Sequence, residues 1–183
     1  HEVVHILQTL RGEEYHYEQF QNLETLLQRT EFSNVRQIFE RVREYLTYRY
    51  NFESSVYYDY ANGLVSFDET IRRLEEMAGH PIDQDFQETL RTRPAEVLEA
   101  NKLDPNMVAD EFFAWVYSQS LLDGAQRQDF VNTVQSSRAL KRDVHRFLQQ
   151  VYQSSELRQF FQTYYHELGL PVEHLNRAYD PAL

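Results

Sequence analysis

The chain of 183 residues contains no cysteine, and only five glycines and five prolines. The lack of cysteine excludes a disulfide scaffold, a thiolate metal site and a cysteine nucleophile. The small number of turn-forming residues is typical of a chain built mostly from regular elements. No apolar run approaches the ~20 residues that a membrane-spanning helix requires. The sequence therefore predicts a protein without a membrane span.

Basic residues are also scarce, with 18 lysines and arginines against 29 aspartates and glutamates, for a formal net charge of −11. A nucleic-acid backbone repels such a chain unless the chain carries a dense basic patch. The richest basic stretch, residues 138–146, holds four cationic side chains among apolar ones at helical spacing. We interpret this stretch as a solvated helix face and expect no nucleic-acid partner.

Aromatic residues are abundant, with 12 phenylalanines and 13 tyrosines, and apolar residues recur at helical spacing. The spacing i, i+3, i+4, i+7 occurs twice, in Val35, Ile38, Phe39 and Val42, and in Val144, Phe147, Leu148 and Val151. Glycine and proline positions separate segments of helix length, and Ser66 and Asp83 are placed as N-caps. These patterns predict an all-α fold of ten to twelve short helices in a single domain, residues 1–183.

The sequence also contains an internal repeat. Residues 34–42 align in polarity with 143–151, residues 55–64 with 159–170, and residues 23–28 with 130–135. We assign repeat one to residues 1–80 and repeat two to residues 81–183. Residues 85–98 open the second repeat and have no earlier counterpart, so repeat one is clipped at its start. We therefore expect the natural precursor to carry further N-terminal residues of this type.

The order of short blocks in this repeat resembles the insect allergen-related repeat family. That family includes a cockroach major allergen, insect microvillar proteins and a mosquito blood-meal-induced midgut protein, and the chain is most similar to the mosquito member. The matching residues in repeat two are Asp85, Gln87, Leu90, Pro94, Tyr117, Asp123-Gly124, residues 134–136, Glu156-Leu157, Phe160, Gly169-Leu170 and Leu175-Asn176. In repeat one they are Leu27-Gln28, Glu31-Phe32, Gly63-Leu64, Ile71 and Gly79-His80-Pro81.

The resemblance implies two helical repeats that enclose one large hydrophobic cavity. It implies a secreted protein of the insect gut lumen or microvillar surface that binds fatty acids or phospholipids, each buried CH₂ contributing ~0.8 kcal/mol. Such a protein would contact membranes transiently and could lyse red cells or enveloped virus by exchanging lipid. We also expect it to be a monomer. We place on the cavity wall Val35, Phe39, Val42, Val56, Tyr60, Phe113, Val116, Val144, Phe147, Val151, Phe160 and Tyr164.

Two alternatives stay open beside this interpretation. One is a helical protein-interaction module with a filled core and an exposed apolar patch. The other is a detoxification factor similar to the nitrile-specifier protein of the same family. The sequence shows no Gly-rich phosphate loop, no nucleophile elbow and no paired-carboxylate signature, so we expect no enzyme, no catalytic residue and no cofactor beyond bound lipid.

Histidine spacing offers one competing interpretation, because His1, Glu2 and His5 spell the zinc-binding pattern H-E-x-x-H. A third ligand would come from His16, Glu18 or beyond. The pattern lies at the extreme end of the sequence with nothing upstream to hold a helix, and catalytic zinc requires an ordered pocket. We therefore predict no metal site there. We likewise interpret His145, His166 and His174, including the His166-Glu167 pair, as partly exposed helix residues.

Overall fold

A computed structural model describes residues 1–122 and 138–176 of the chain. This part consists of α-helices and two short 3-10 helices, with no strand among the described residues, which confirms the all-α prediction. The α-helices are α1 (Glu2–Arg11), α2 (Glu13–Leu26), α3 (Ser33–Tyr48), α4 (Phe52–Ala61), α5 (Phe67–Ala78), α6 (Gln84–Thr92), α7 (Pro94–Asn101), α8 (Pro105–Ser120), α9 (Arg138–Gln153) and α10 (Ser155–Glu167). The 3-10 helices are Thr30–Phe32 and Glu173–Asn176.

The chain divides into two compact units. The terminal unit comprises residues 1–43 and 105–183, and the inserted unit comprises residues 44–104. The predicted border between repeats, at residues 80 and 81, lies within the inserted unit. The best-aligned repeat segments lie in α3 and α9, but residues 130–135 are outside the described residues. The tandem repeat therefore stays a prediction.

Local sequence signals set several of the helix ends. The Ser66 hydroxyl accepts a hydrogen bond from the Glu69 amide at 3.2 Å, and an Asp83 carboxylate oxygen accepts one from the Phe86 amide at 3.1 Å. Both N-cap predictions are thus confirmed. Gly12 joins α1 to α2 with a φ of 102°, a conformation that favours glycine. This turn folds α2 back along α1.

The core of the terminal unit is a cluster of packed rings. In this unit α8 contacts α1, α2 and α9. The Phe112 ring, fully buried on α8, lies with its centroid 5.2–5.5 Å from those of Phe20, Phe39, Phe113 and Phe147. Edge-on contacts at such distances are favourable beyond the area they bury. The rings therefore fix α8 in the middle of the unit.

The inserted unit has a smaller core of its own. There α4 packs against α5 and α7, and α6 packs against α7. The buried residues of this core are Val56, Tyr57, Leu74, Leu90 and Val97. Half-buried aromatic and aliphatic side chains, such as Phe67 and Phe86, surround them. No helix in the described parts of the chain has the length and apolar character needed to cross a membrane.

The basic stretch of α9 differs from the prediction at one position. Arg138, Arg142 and Arg146 are exposed, as a solvated face requires, but Lys141 is only 2% exposed. Its Nζ lies 5.8 Å from the centroid of the Trp115 ring on α8. The prediction was wrong for Lys141 because its aliphatic stem packs inward while its ammonium group meets an aromatic face.

Candidate metal centre

Helix α1 is anchored in the terminal unit by the face that carries the two histidines. His1, Val4, His5 and Gln8 share this face by helical spacing, and Val4 and Gln8 are only 1% and 2% exposed. The helix contacts α2 and α8. Nothing upstream of α1 is needed to hold it, because two downstream helices contact it.

Three potential ligands converge where α1 meets α8. The Nε2 atom of His1 lies 3.1 Å from Oε2 of Glu111, and Nε2 of His5 lies 2.9 Å from Oε1 of the same carboxylate. One ligand atom from each of these three residues lies within 4.8 Å of the others. Their side chains are 25%, 26% and 15% exposed, so the cluster is partly shielded but reachable from solvent.

The side chains of this cluster suit a small tetrahedral cation. Ligand atoms bound to zinc at about 2.0–2.2 Å lie about 3.3–3.6 Å apart around a tetrahedron. The observed separations of 3.1 and 2.9 Å each involve a different oxygen of Glu111, and one ligand atom from each residue lies within 4.8 Å of the others, so a bound ion requires these side chains to adjust. Two histidines and one glutamate are also a known catalytic ligand set for zinc, which leaves the fourth position for water or substrate.

The polar atoms of the cluster are incompletely satisfied by the protein. Among the described residues, buried Nε2 of His5 has no hydrogen-bond partner despite its contact with Glu111, so that contact lacks the geometry of a donated N–H. Oδ1 of Asp110, next in sequence to Glu111, is likewise buried without a partner. Burial raises the pKa of Asp110 to about 6. Nε2 of His5 is therefore the atom of the cluster that lacks a hydrogen bond.

The charge state of His1 depends on the carboxylates around it. Its hydrogen bond to Glu111 raises the pKa of His1, with a smaller contribution from Glu2, whose Oε1 lies 3.2 Å from Nδ1 of His1. Positive charge on His1 is therefore stabilised by the carboxylates around it. A proton can supply that charge, and so can a divalent metal ion that binds the same lone pair.

Trp115 forms one wall of the centre. The centroid of its ring lies 5.2 Å from that of His1 at an angle of 61°, and the His1 and His5 rings meet edge to face at 4.6 Å. This is the only tryptophan in the chain. Trp115 therefore provides an intrinsic fluorescent reporter of events at the centre.

The third potential ligand, Glu111, lies beyond the two residues that the sequence suggests, His16 and Glu18. His16 is fully buried and bonded to Tyr164 and to the Gln8 carbonyl, and Glu18 is exposed on α2. Glu111 was missed because it lies more than one hundred residues from the motif in sequence. The one available signal was the Asp110-Glu111 pair, which contributes the only charges to the otherwise apolar or neutral helix α8.

The twelve predicted cavity residues lie in the cores of both units. Ten belong to the terminal unit, whereas Val56 and Tyr60 belong to the inserted unit. All are buried except Tyr60 and Phe160, which are half-buried. In the terminal unit the rings pack on one another, with Phe113 stacked on Tyr164 at 3.9 Å. The structure does not show the single large cavity, and these residues stay predictions as lipid contacts.

Three further histidines, which the sequence predicts to be partly exposed helix residues, do not belong to the candidate metal centre. His145 is buried on α9, and His166 is exposed at the end of α10 beside exposed Glu167. Nε2 of His174 lies 2.8 Å from the Ser120 hydroxyl. The prediction of partly exposed helix residues is therefore wrong for His145, whose side chain faces the core.

Comparison of the chain with protein-family models, with curated proteins and with solved structures finds no match. The resemblance to the insect allergen-related repeat family accordingly stays a prediction. Functional inference for this chain therefore depends on the chemistry of its own side chains.

Proposed function

We propose that the chain forms part of a zinc-dependent hydrolase that cleaves peptide bonds. His1, His5 and Glu111 would bind the metal, and Glu2 would act as the general base. The observation that carries this proposal is the convergence of the Glu111 carboxylate on the Nε2 atoms of two histidines spaced i and i+4. In the H-E-x-x-H pattern this spacing presents both rings on one helix face, with the glutamate beside them.

The chemistry assigned to these residues is hydrolysis. Zinc, when bound, polarises a carbonyl group and lowers the pKa of water. The Glu2 carboxylate accepts a proton from water as the water oxygen bonds to the carbonyl carbon of the peptide. The carbon–nitrogen bond then breaks, and Glu2 returns the proton to the departing amine. The Glu2 carboxylate lies beside the His1 ring, with Oε1 3.2 Å from Nδ1, and is reachable by solvent.

The observed contacts favour this function over the lipid carrier. The predicted lipid-lining rings of the terminal unit contact one another, whereas Nε2 of His5 is buried without a hydrogen-bond partner among the described residues. Lipid binding, secretion into the gut, membrane lysis and the interaction-module alternative stay predictions. Organic extraction of the purified protein tests the lipid prediction directly, since a carrier should release stoichiometric fatty acid or phospholipid.

A metal titration tests the centre itself. The chain should be purified without a polyhistidine tag, stripped with a chelator and titrated with Co²⁺, which quenches nearby fluorophores, while Trp115 emission is recorded. We expect saturable quenching at one equivalent, reversed by Zn²⁺. His5→Ala and Glu111→Gln should abolish it, whereas His80→Ala and His166→Ala, at exposed positions, should not. Equal quenching in the ligand variants would refute the centre.

Glu2→Gln separates binding from catalysis. This variant should bind Co²⁺ and Zn²⁺ with near-wild-type affinity but lose hydrolysis of a fluorogenic peptide library by at least about 100-fold. Glu14→Gln, an exposed change on α2, is the matched control. Zinc binding without any peptide cleavage by the wild-type chain would limit the proposal to a non-catalytic metal site.

A further inference from the structure

We propose that Gln8 is a positioning residue of the metal centre, which holds His5 with Nδ1 protonated so that the lone pair of Nε2 faces Glu111. This inference rests on the proposed function. Gln8 is 2% exposed and lies three residues after His5, on the same face of α1. Two hydrogen bonds carry this role: one sets the orientation of the Gln8 amide, and the other sets which nitrogen of His5 carries the proton.

The orientation of the Gln8 amide is fixed by a backbone carbonyl. Nε2 of Gln8 donates to the Asp110 carbonyl oxygen at 3.0 Å. Because a carbonyl oxygen can only accept, the amide nitrogen must face α8. The amide oxygen of Gln8 therefore faces the other way, toward the His5 ring.

The His5 tautomer follows from that orientation. Oε1 of Gln8 lies 2.8 Å from Nδ1 of His5 and can only accept a hydrogen bond. Nδ1 must therefore carry the proton, and in a neutral ring Nε2 then carries the lone pair. Nε2 of His5 lies 2.9 Å from Oε1 of Glu111 without the geometry of a hydrogen bond, and a lone pair that faces a carboxylate oxygen at this distance is stabilised only by a cation between the two atoms. Nε2 is thus prepared to bind a cation.

A second layer holds Gln8 in place. The other amide hydrogen of Gln8 points to the Tyr164 oxygen at 3.2 Å, and the Tyr164 hydroxyl donates to Nδ1 of His16 at 2.8 Å. Nε2 of His16 in turn donates to the Gln8 carbonyl oxygen at 2.8 Å. In this buried network each of these donors meets an acceptor. Such networks restrict side-chain rotation, which is what a positioning residue requires.

Metal affinity is the first readout of this role. Removing an outer partner of a metal-binding histidine typically costs 10–100-fold in affinity. Gln8→Leu should therefore weaken Co²⁺ binding, measured by Trp115 quenching, by about 10–100-fold. Ile6→Ala, at an exposed position of α1, is the matched control.

The tautomer itself is the second readout, and it needs no bound metal. Two-dimensional ¹H–¹⁵N correlation spectra of the metal-free wild-type chain distinguish protonated from unprotonated ring nitrogens. We expect the proton of the neutral His5 ring to lie on Nδ1, and Gln8→Leu to lose this preference. A proton on Nε2 of His5 in the neutral wild-type ring would overturn the proposal.

The two experiments also separate this inference from the proposed function. Failure of the wild-type chain to bind Co²⁺ or Zn²⁺ would refute the metal centre. Equal Co²⁺ affinity of wild type and Gln8→Leu, with binding intact in both, would refute only the positioning role.

Discussion

Replacing Tyr164 with phenylalanine should destabilise the terminal unit by about 3 kcal/mol. The ring stays, so its stacking on Phe113 at 3.9 Å is retained and only the hydroxyl is removed. That hydroxyl lies 2.8 Å from Nδ1 of His16 and 3.2 Å from Nε2 of Gln8, with Tyr164 only 1% exposed. Burial raises the pKa of Tyr164 above its usual range, so the hydroxyl remains protonated and able to donate.

The magnitude follows from what the change leaves behind. A typical hydrogen bond contributes about 0.5–1.5 kcal/mol net, and a buried group left without a partner costs about 1–3 kcal/mol. Nδ1 of His16 loses its donor, whereas Nε2 of Gln8 keeps the Asp110 carbonyl. The sum is about 1.5–4.5 kcal/mol, with a middle value of about 3 kcal/mol. At about 3 °C per kcal/mol for a chain of this size, the Tm should fall by roughly 9 °C.

Urea unfolding of the metal-free protein, followed by Trp115 fluorescence, measures this loss. Tyr17→Phe, a half-buried position on α2 outside the network, should stay within about 0.5 kcal/mol of wild type. In a double-mutant cycle with His16→Phe, the two changes should couple by about 1–3 kcal/mol, because each removes the partner of the other. A Tyr164→Phe variant as stable as wild type would refute the network.

Three further predictions concern the rest of the fold. Phe112→Ala should cost about 3–5 kcal/mol in urea unfolding, because it removes a fully buried ring at the centre of the cluster. Asn51→Ala should cost about 1 kcal/mol, since the Asn51 side chain caps α4 by accepting from the Ser54 amide at 2.8 Å. Burial, with a smaller effect of Arg11, lowers the pKa of His16. The unfolded chain therefore binds a proton more readily at this site, so stability should fall as the pH drops below about 6.5, and less so in His16→Gln.

Sequence periodicity was sufficient for the secondary structure but not for the assembly of the helices. The caps at Ser66 and Asp83 and the break at Gly12 are local signals, and each lies where the sequence placed it. The division into two units depends on contacts between residues 1–43 and 105–183, which no local pattern records. The inward orientation of Lys141 was missed for the same reason, because its partner Trp115 belongs to another helix.

The candidate site also depends on contacts between helices that the sequence does not reveal. The i, i+4 spacing of His1 and His5 is visible in the sequence, but a metal centre also requires a third ligand and a fixed helix. Both come from α8, where Glu111 approaches the two rings and the Asp110 carbonyl accepts from Gln8. Position at the end of a sequence is therefore a poor reason to dismiss a motif, because anchoring depends on tertiary contacts.

One residue of α1 links the stability of the core to the chemistry of the centre. Gln8 contacts His5 through its amide oxygen and the Asp110 carbonyl and Tyr164 through its amide nitrogen. A change in the ring cluster that displaces Tyr164 should therefore reach Nε2 of His5 through two hydrogen bonds. It follows that Tyr164→Phe should weaken Co²⁺ binding as well as stability, but less than Gln8→Leu, which removes the contact to His5 itself. If Tyr164→Phe weakened Co²⁺ binding more than Gln8→Leu, the orientation of the His5 ring would depend on a residue other than Gln8.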